Sequence, residues 1–119
     1  VLAPFDALAA SIRAEHPEVD LSFAVKMWTD AAETTGDSRI ADLCRDAVRT
    51  ETGREPLDTG FTGITDARFY INDRSIPTVI LGPGSLTVAH MANESVEVAE
   101  LVTAARVYAR VFIGFLGGS

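Results

Sequence analysis

The chain is short of cysteine, of positive charge and of long apolar runs, and each shortage removes a class of function. Its one cysteine, Cys44, cannot close an internal disulfide, so nothing requires an oxidising compartment and a cytoplasmic location is expected. Ten basic residues against seventeen acidic ones leave a formal charge of −7, which works against a sequence-independent hold on phosphate backbones; no nucleic-acid partner is expected. No uninterrupted apolar run approaches the roughly 20 residues that a bilayer span requires, so no membrane partner is expected either. The opening VLAPFDALAASIRAEH carries Asp6 and no basic residue ahead of its apolar part, unlike a secretory signal. Internal repeats and low-complexity linkers are also missing.

What is present is a core-forming composition: 119 residues, 47% of them apolar, suffice for one domain with a continuous core. Phe5, Leu8, Ala9 and Ile12 recur at helical spacing after Pro4, which predicts a helix over 4–15, stopped by His16-Pro17. His16 reads as an exposed helix-end residue rather than a ligand. Val19, Leu21, Phe23, Val25 and Met27 alternate strictly, predicting a half-buried strand over 19–27. A turn cluster at 34–38 offers Asp37 or Ser38 as the cap of a second helix over 38–52. The stripe of that helix is Ile40, Leu43, Cys44, Ala47 and Val48, and Gly53 supplies its stop. On this stripe Cys44 reads as a small buried hydrophobe, not a catalytic thiol.

Residues 57–62 predict a short strand or extended approach, and 66–72 a brief helix. Thr78-Val79-Ile80-Leu81, apolar and β-branched after Pro77, predicts a buried parallel strand. Gly82-Pro83-Gly84-Ser85 interrupts that run at its C-terminal end, where open α/β sheets place their ligands. From residue 95 to 116 a broad apolar side, including Val98, Leu101, Val102, Tyr108 and Phe112, predicts a long helix packed on the sheet. Strands and helices joined by short connections predict an α/β layer architecture. A boundary is expected within 28–36, so near one end that the chain is expected to begin partway through a larger design.

The polar groups that could carry chemistry lie along one stretch: Thr65, Asp66, Arg68, Ser85, His90 and Glu94. A zinc site takes three or four ligands, so His90 by itself reads either as one metal ligand or as an ordinary hydrogen-bonded histidine. Arg68 suits a carboxylate clamp, and equally a structural ion pair. The Gly-Pro-Gly-Ser loop lacks both the G-x-G-x-x-G and the G-x-x-x-x-G-K-[ST] pattern of a phosphate cradle, which leaves a nucleotide-binding reading weakly supported. No Ser-His-Asp ordering stands out.

The order GITDARF, IPTVILGPG, AHMANE and then a long apolar helix resembles the C-terminal end of the dinuclear-zinc aminoacylase and exopeptidase family, which includes acetylornithine deacetylase, succinyl-diaminopimelate desuccinylase, aminoacylase and glutamate carboxypeptidases. The resemblance is strongest over 60–116. It implies the C-terminal part of a zinc-exopeptidase-like sheet layered with helices over 29–119, and the last helix and strand of a smaller lid or dimerisation domain over 1–28. It further implies a cytoplasmic amide hydrolase for N-acyl amino acids or short peptides, dimerising through the lid, with two zinc ions as cofactor and cobalt or manganese as alternatives. Carried over residue by residue, His90 is similar to the family's last zinc ligand, in a His-x-x-x-Glu pattern with Glu94. Arg68 is similar to the arginine that grips the substrate carboxylate, and Gly82, Pro83, Gly84 and Ser85 to the loop that borders the substrate.

Two departures shape the expectation. Ile64 stands where desuccinylases carry a threonine, and the Gly-Pro-Gly-Ser wording is closer to the acetylornithine branch. The family's upstream His-x-Asp motif and Glu-Glu pair have no match in the chain. One metal ligand and part of a substrate pocket are therefore expected from these residues, no catalytic residue is assigned, and the isolated chain is expected to be inactive. The alternative is a non-catalytic binding or assembly module.

Overall fold

The computed structural model describes residues 2–117, which divide into two compact units, 2–30 and 31–117. The first is built on helix α1, Ala3–Glu15. Proline in its first turn has no N–H to leave unpaired, Asp6 faces the positive end of the helix dipole, and Arg13 lies in the last turn. His16 closes the helix, donating its N–H to the Ile12 carbonyl at 2.8 Å. The chain then folds back on α1, where the Phe5 and Phe23 rings pack with centroids 6.0 Å apart and Ala9 is buried.

The second unit is organised by α2, Arg39–Thr52, and α3, Val98–Leu116, which pack on one another. Ser38 takes the extended N-cap backbone of α2, but its hydroxyl makes no capping bond and is buried without a partner among the described residues. Gly53, left-handed, ends the helix. Cys44 and Ala47 of α2 and Val107 of α3 form the buried core. Gly114 permits the close approach: a Cβ there would fall 2.7 Å from Leu43 Cδ2. Arg39 fastens the end of α3, donating to the Gly114 and Phe115 carbonyls at 3.0 and 3.1 Å with its guanidinium 5.1 Å from the Phe115 ring centroid. Among the described residues no helix is long and apolar enough to cross a membrane.

The α/β expectation is overturned, because among the described residues there is no strand. Neither the sheet layered with helices nor the lid strand forms, and the reason is visible in the hydrogen bonds. A strand exists only by pairing its main-chain groups with a neighbour. In 19–27 the Leu21 carbonyl is taken instead by the Arg13 guanidinium, through Nε at 2.9 Å and Nη2 at 2.6 Å. In 78–81 the Thr34 hydroxyl accepts from the Thr78 N–H and donates to the Thr78 carbonyl, both at 2.8 Å, and Tyr108 takes the Leu81 carbonyl. Residues 57–62 are likewise irregular. Alternation and β-branching thus identify segments suited to strands, while side chains occupy some of the groups that a ladder would use. Without a sheet to cover, α3 keeps Val98, Phe112 and Ile113 exposed.

Candidate functional site

The Arg68 turn is the first component. Thr65 begins it, its hydroxyl accepting from the Ala67 N–H at 3.2 Å. The chain then winds into a π-helical turn, Phe69–Asp73, and leaves it through Ser75 in the left-handed conformation, with the Ile76 N–H donating to the Tyr70 carbonyl at 2.9 Å. A brief helix over 66–72 is therefore close to what forms. Arg68 is half-buried and folded back on its own turn: its guanidinium donates to the Thr65 carbonyl at 3.2 Å and lies 4.2 Å from the Phe69 ring centroid. Its planar fork is held by that stacking, with donors left for an anionic group.

The Gly82-Pro83-Gly84-Ser85 loop is the second. It leaves 78–81 and passes over α3, whose Tyr108 hydroxyl donates to the Leu81 carbonyl at 3.0 Å and whose Glu100 carboxylate accepts from the Gly84 N–H at 2.9 Å. Gly84 has φ 86°, a conformation that a side chain resists. Beside the loop lies a cleft of about 520 Å³ that Glu51, Arg54 and Val107 also line. Ser85 turns inward on its own segment, sharing a 2.8 Å hydrogen bond with the Thr87 hydroxyl.

His90 is the third. It follows a run of tight turns in which Val88 and Met91 donate to the carbonyls of Ser85 and Val88. His90 is exposed, has φ 63°, and donates its main-chain N–H to Glu94 Oε2 at 2.9 Å. Neither ring nitrogen has a hydrogen-bond partner among the described residues, so both are open to a ligand. As a metal-binding group it fits the part of a single donor. No group of three or more histidine, cysteine or carboxylate residues gathers among the described residues, so they do not complete a metal centre.

The structure therefore joins the loop firmly to α3 and His90 to Glu94. No hydrogen bond or ion pair among the described residues joins Arg68 to the segment 82–90. Glu100 and Tyr108 escape sequence reasoning as partners of the loop, because Tyr108 reads there as part of an apolar face. The signal that could have found them is their spacing, eight residues apart on one side of a helix. Two arginines of α2 pair with carboxylates that follow the helix, Arg45 with Asp58 and Arg49 with Glu55. Asp58 is held below its ordinary carboxylate range by its hydrogen bond from Arg45, and Glu55 by that from Arg49. Burial pushes the Cys44 thiol up, against a smaller opposing effect of Arg45.

Comparison with known proteins places this geometry in context. The model of peptidase family M20/M25/M40 matches residues 8–113. A succinyl-diaminopimelate desuccinylase of Maricaulis maris is 32% identical over 116 residues, covering 92% of this chain and 29% of the relative. That of Dinoroseobacter shibae is 30% identical over 112 residues, covering 89% and 28%. A third, from Nitrosomonas europaea, is 42% identical over 69 residues, 58% of this chain and 18% of its own. The chain thus spans less than a third of the length of these relatives. No solved structure matches it significantly.

Proposed function

The chain belongs to peptidase family M20/M25/M40, and from that membership we propose that it supplies one metal ligand and part of the substrate pocket to a hydrolase of N-acyl amino acids or short peptides. Its similarity to desuccinylases supports a small acylated amino acid as substrate. In this reading His90 is the metal ligand, Arg68 receives the substrate carboxylate, and Gly82, Pro83, Gly84 and Ser85 border the substrate. Residues 1–28 belong to a smaller dimerisation domain and 29–119 to the catalytic one.

The observation that carries the proposal is the state of His90: an exposed imidazole with both ring nitrogens open, on a backbone fixed through Glu94. A bound metal, zinc in this reading, would be held in part by His90 and would supply Lewis acidity toward an amide carbonyl and the attacking water. The chain's own contribution is to hold an imidazole in place and to present the planar guanidinium fork of Arg68 to an anionic substrate.

The test is release of succinate or acetate from N-acyl amino acids by the product of the native reading frame, with and without a chelator, alongside a His90→Ala variant. Release that the chelator abolishes and His90→Ala lowers by at least about a hundredfold supports the proposal. A product that hydrolyses none of these amides, or whose activity survives His90→Ala, overturns it; the first result would favour a binding module.

A further inference from the structure

We propose that Glu100 and Tyr108 of α3 are positioning residues for the Gly82-Pro83-Gly84-Ser85 loop, gripping it on both sides of its proline so that its remaining main-chain donors stand in one fixed arrangement. The consequence for substrate rests on the reading of this loop as bordering the substrate.

The two contacts are complementary. Tyr108 donates its hydroxyl to the carbonyl that enters the loop, that of Leu81, at 3.0 Å. The Glu100 carboxylate accepts from the N–H of Gly84 at 2.9 Å, on the far side of Pro83. The two residues are eight positions apart, so they stand about 12 Å apart along the helix and about 80° apart around its axis. One rigid element therefore reaches the chain on both sides of the Gly82-Pro83 pair. Pro83 has fixed φ and no N–H, and Gly84 sits at φ 86°, so the span between the two contacts has little freedom of its own.

The arrangement also decides which groups are left over. With the Gly84 N–H engaged and Pro83 lacking one, the donors remaining in the loop are the N–H groups of Gly82 and Ser85, which have no partner among the described residues. Two donors flanking a proline suit an oxygen-rich group such as a carboxylate or an acyl carbonyl. Glu100, by drawing the Gly84 N–H toward α3, keeps the turn from rotating and changing that pair. Glu100 stands in the first turn of α3, where the helix dipole favours a carboxylate.

Amide-resolved NMR on the full chain tests this directly, using Glu100→Ala, Glu100→Gln and Tyr108→Phe, with far-UV circular dichroism to follow the helices. Glu100→Ala should speed hydrogen exchange at the Gly84 amide about tenfold, the equivalent of losing one hydrogen bond to a charged acceptor. Glu100→Gln, which keeps a carbonyl oxygen in place, should restore most of the protection. Tyr108→Phe should shift the Gly82 amide, which shares a peptide group with the Leu81 carbonyl. Unchanged exchange at Gly84 in Glu100→Ala, with helix content intact, overturns the proposal, as does equal loss in the Ala and Gln variants. N-succinyl-L-alanine separates the grip from the functional reading. Shifts at Gly82 and Ser85 in the parent chain that vanish in Glu100→Ala support both. A loop shown to be held, yet silent to the ligand, leaves the grip standing and overturns the substrate-bordering role.

Discussion

The main-chain N–H of His90 donates to Glu94 Oε2 at 2.9 Å while His90 itself stands at φ 63°. A non-glycine residue in the left-handed region costs on the order of 1 kcal/mol or more, and it persists when neighbouring structure holds it there. The carboxylate four residues on is that hold, which gives the spacing of His90 and Glu94 a physical reason independent of any metal.

Glu94→Ala should therefore release the His90 backbone and weaken the zinc binding proposed for its imidazole by about tenfold, the equivalent of one hydrogen bond to a charged acceptor. Zinc titration followed through the His90 ring resonances measures this. Glu94→Gln should fall between the two, and an affinity unchanged in Glu94→Ala would show that the backbone hold does not matter to the ring.

The cross-helix pair of Glu51 and Arg110 gives an ordering of variants. The Glu51 side chain is only 12% exposed, whereas Arg110 is half open to water. Arg110→Leu strands a nearly buried carboxylate and should cost about 1–3 kcal/mol. The double variant Glu51→Leu with Arg110→Leu removes both charges and should recover much of that loss. Urea unfolding midpoints of the two variants test the order; a double variant weaker than Arg110→Leu would contradict it.

Acid should loosen the segment that follows α2, which Glu55 and Asp58 tie back to the helix. The carboxyls of Asp58 and Glu55 are both depressed, first by their hydrogen bonds from Arg45 and Arg49. A depressed pKa contributes stability that is present above the unfolded value, about 4, and is lost as pH falls through the folded one. Stability should be flat near neutrality and decline below about pH 4. Both pairs are solvated, so the decline should be small. In the variant carrying Arg45→Gln and Arg49→Gln the denaturant midpoint should depend less on acid than in the parent; equal dependence would assign the effect elsewhere.

Cys44 should be inert in the folded chain. It is 8% exposed in the α2–α3 core, and burial raises its thiol pKa, so thiolate is scarce and hard to reach. Alkylation with iodoacetamide at mildly alkaline pH should run at least about tenfold slower than in denaturant. Equal rates would mean that the core opens as fast as the reagent acts.

Much of the helical structure was legible in the chain. Pro4 and the Phe5, Leu8, Ala9, Ile12 spacing mark α1, the stripe through Cys44 and Ala47 marks α2, and the apolar run after residue 95 marks α3, which begins three residues later at Val98. Helices announce themselves because their hydrogen bonds are local and their period is written in nearby residues. The motif order GITDARF, GPG and AHMANE likewise pointed to the family that the comparisons show.

What the residues could not decide was which partners their main-chain groups would take. The alternation over 19–27 and the β-branched run at 78–81 are strand-like sequences, yet Arg13, Thr34 and Tyr108 claim the Leu21, Thr78 and Leu81 carbonyls and the Thr78 N–H, groups that pairing would use. The hold of Glu100 on Gly84 was equally hidden, since sixteen residues separate the two and no local period connects them. Sequence alone determined the helices, the apolar stripes and the chemical inventory of the site, because these depend on neighbours along the chain. Only the tertiary structure decided the fate of the extended segments and the bracing of the loop, because a hydrogen bond between distant residues is chosen by the packing that brings them together.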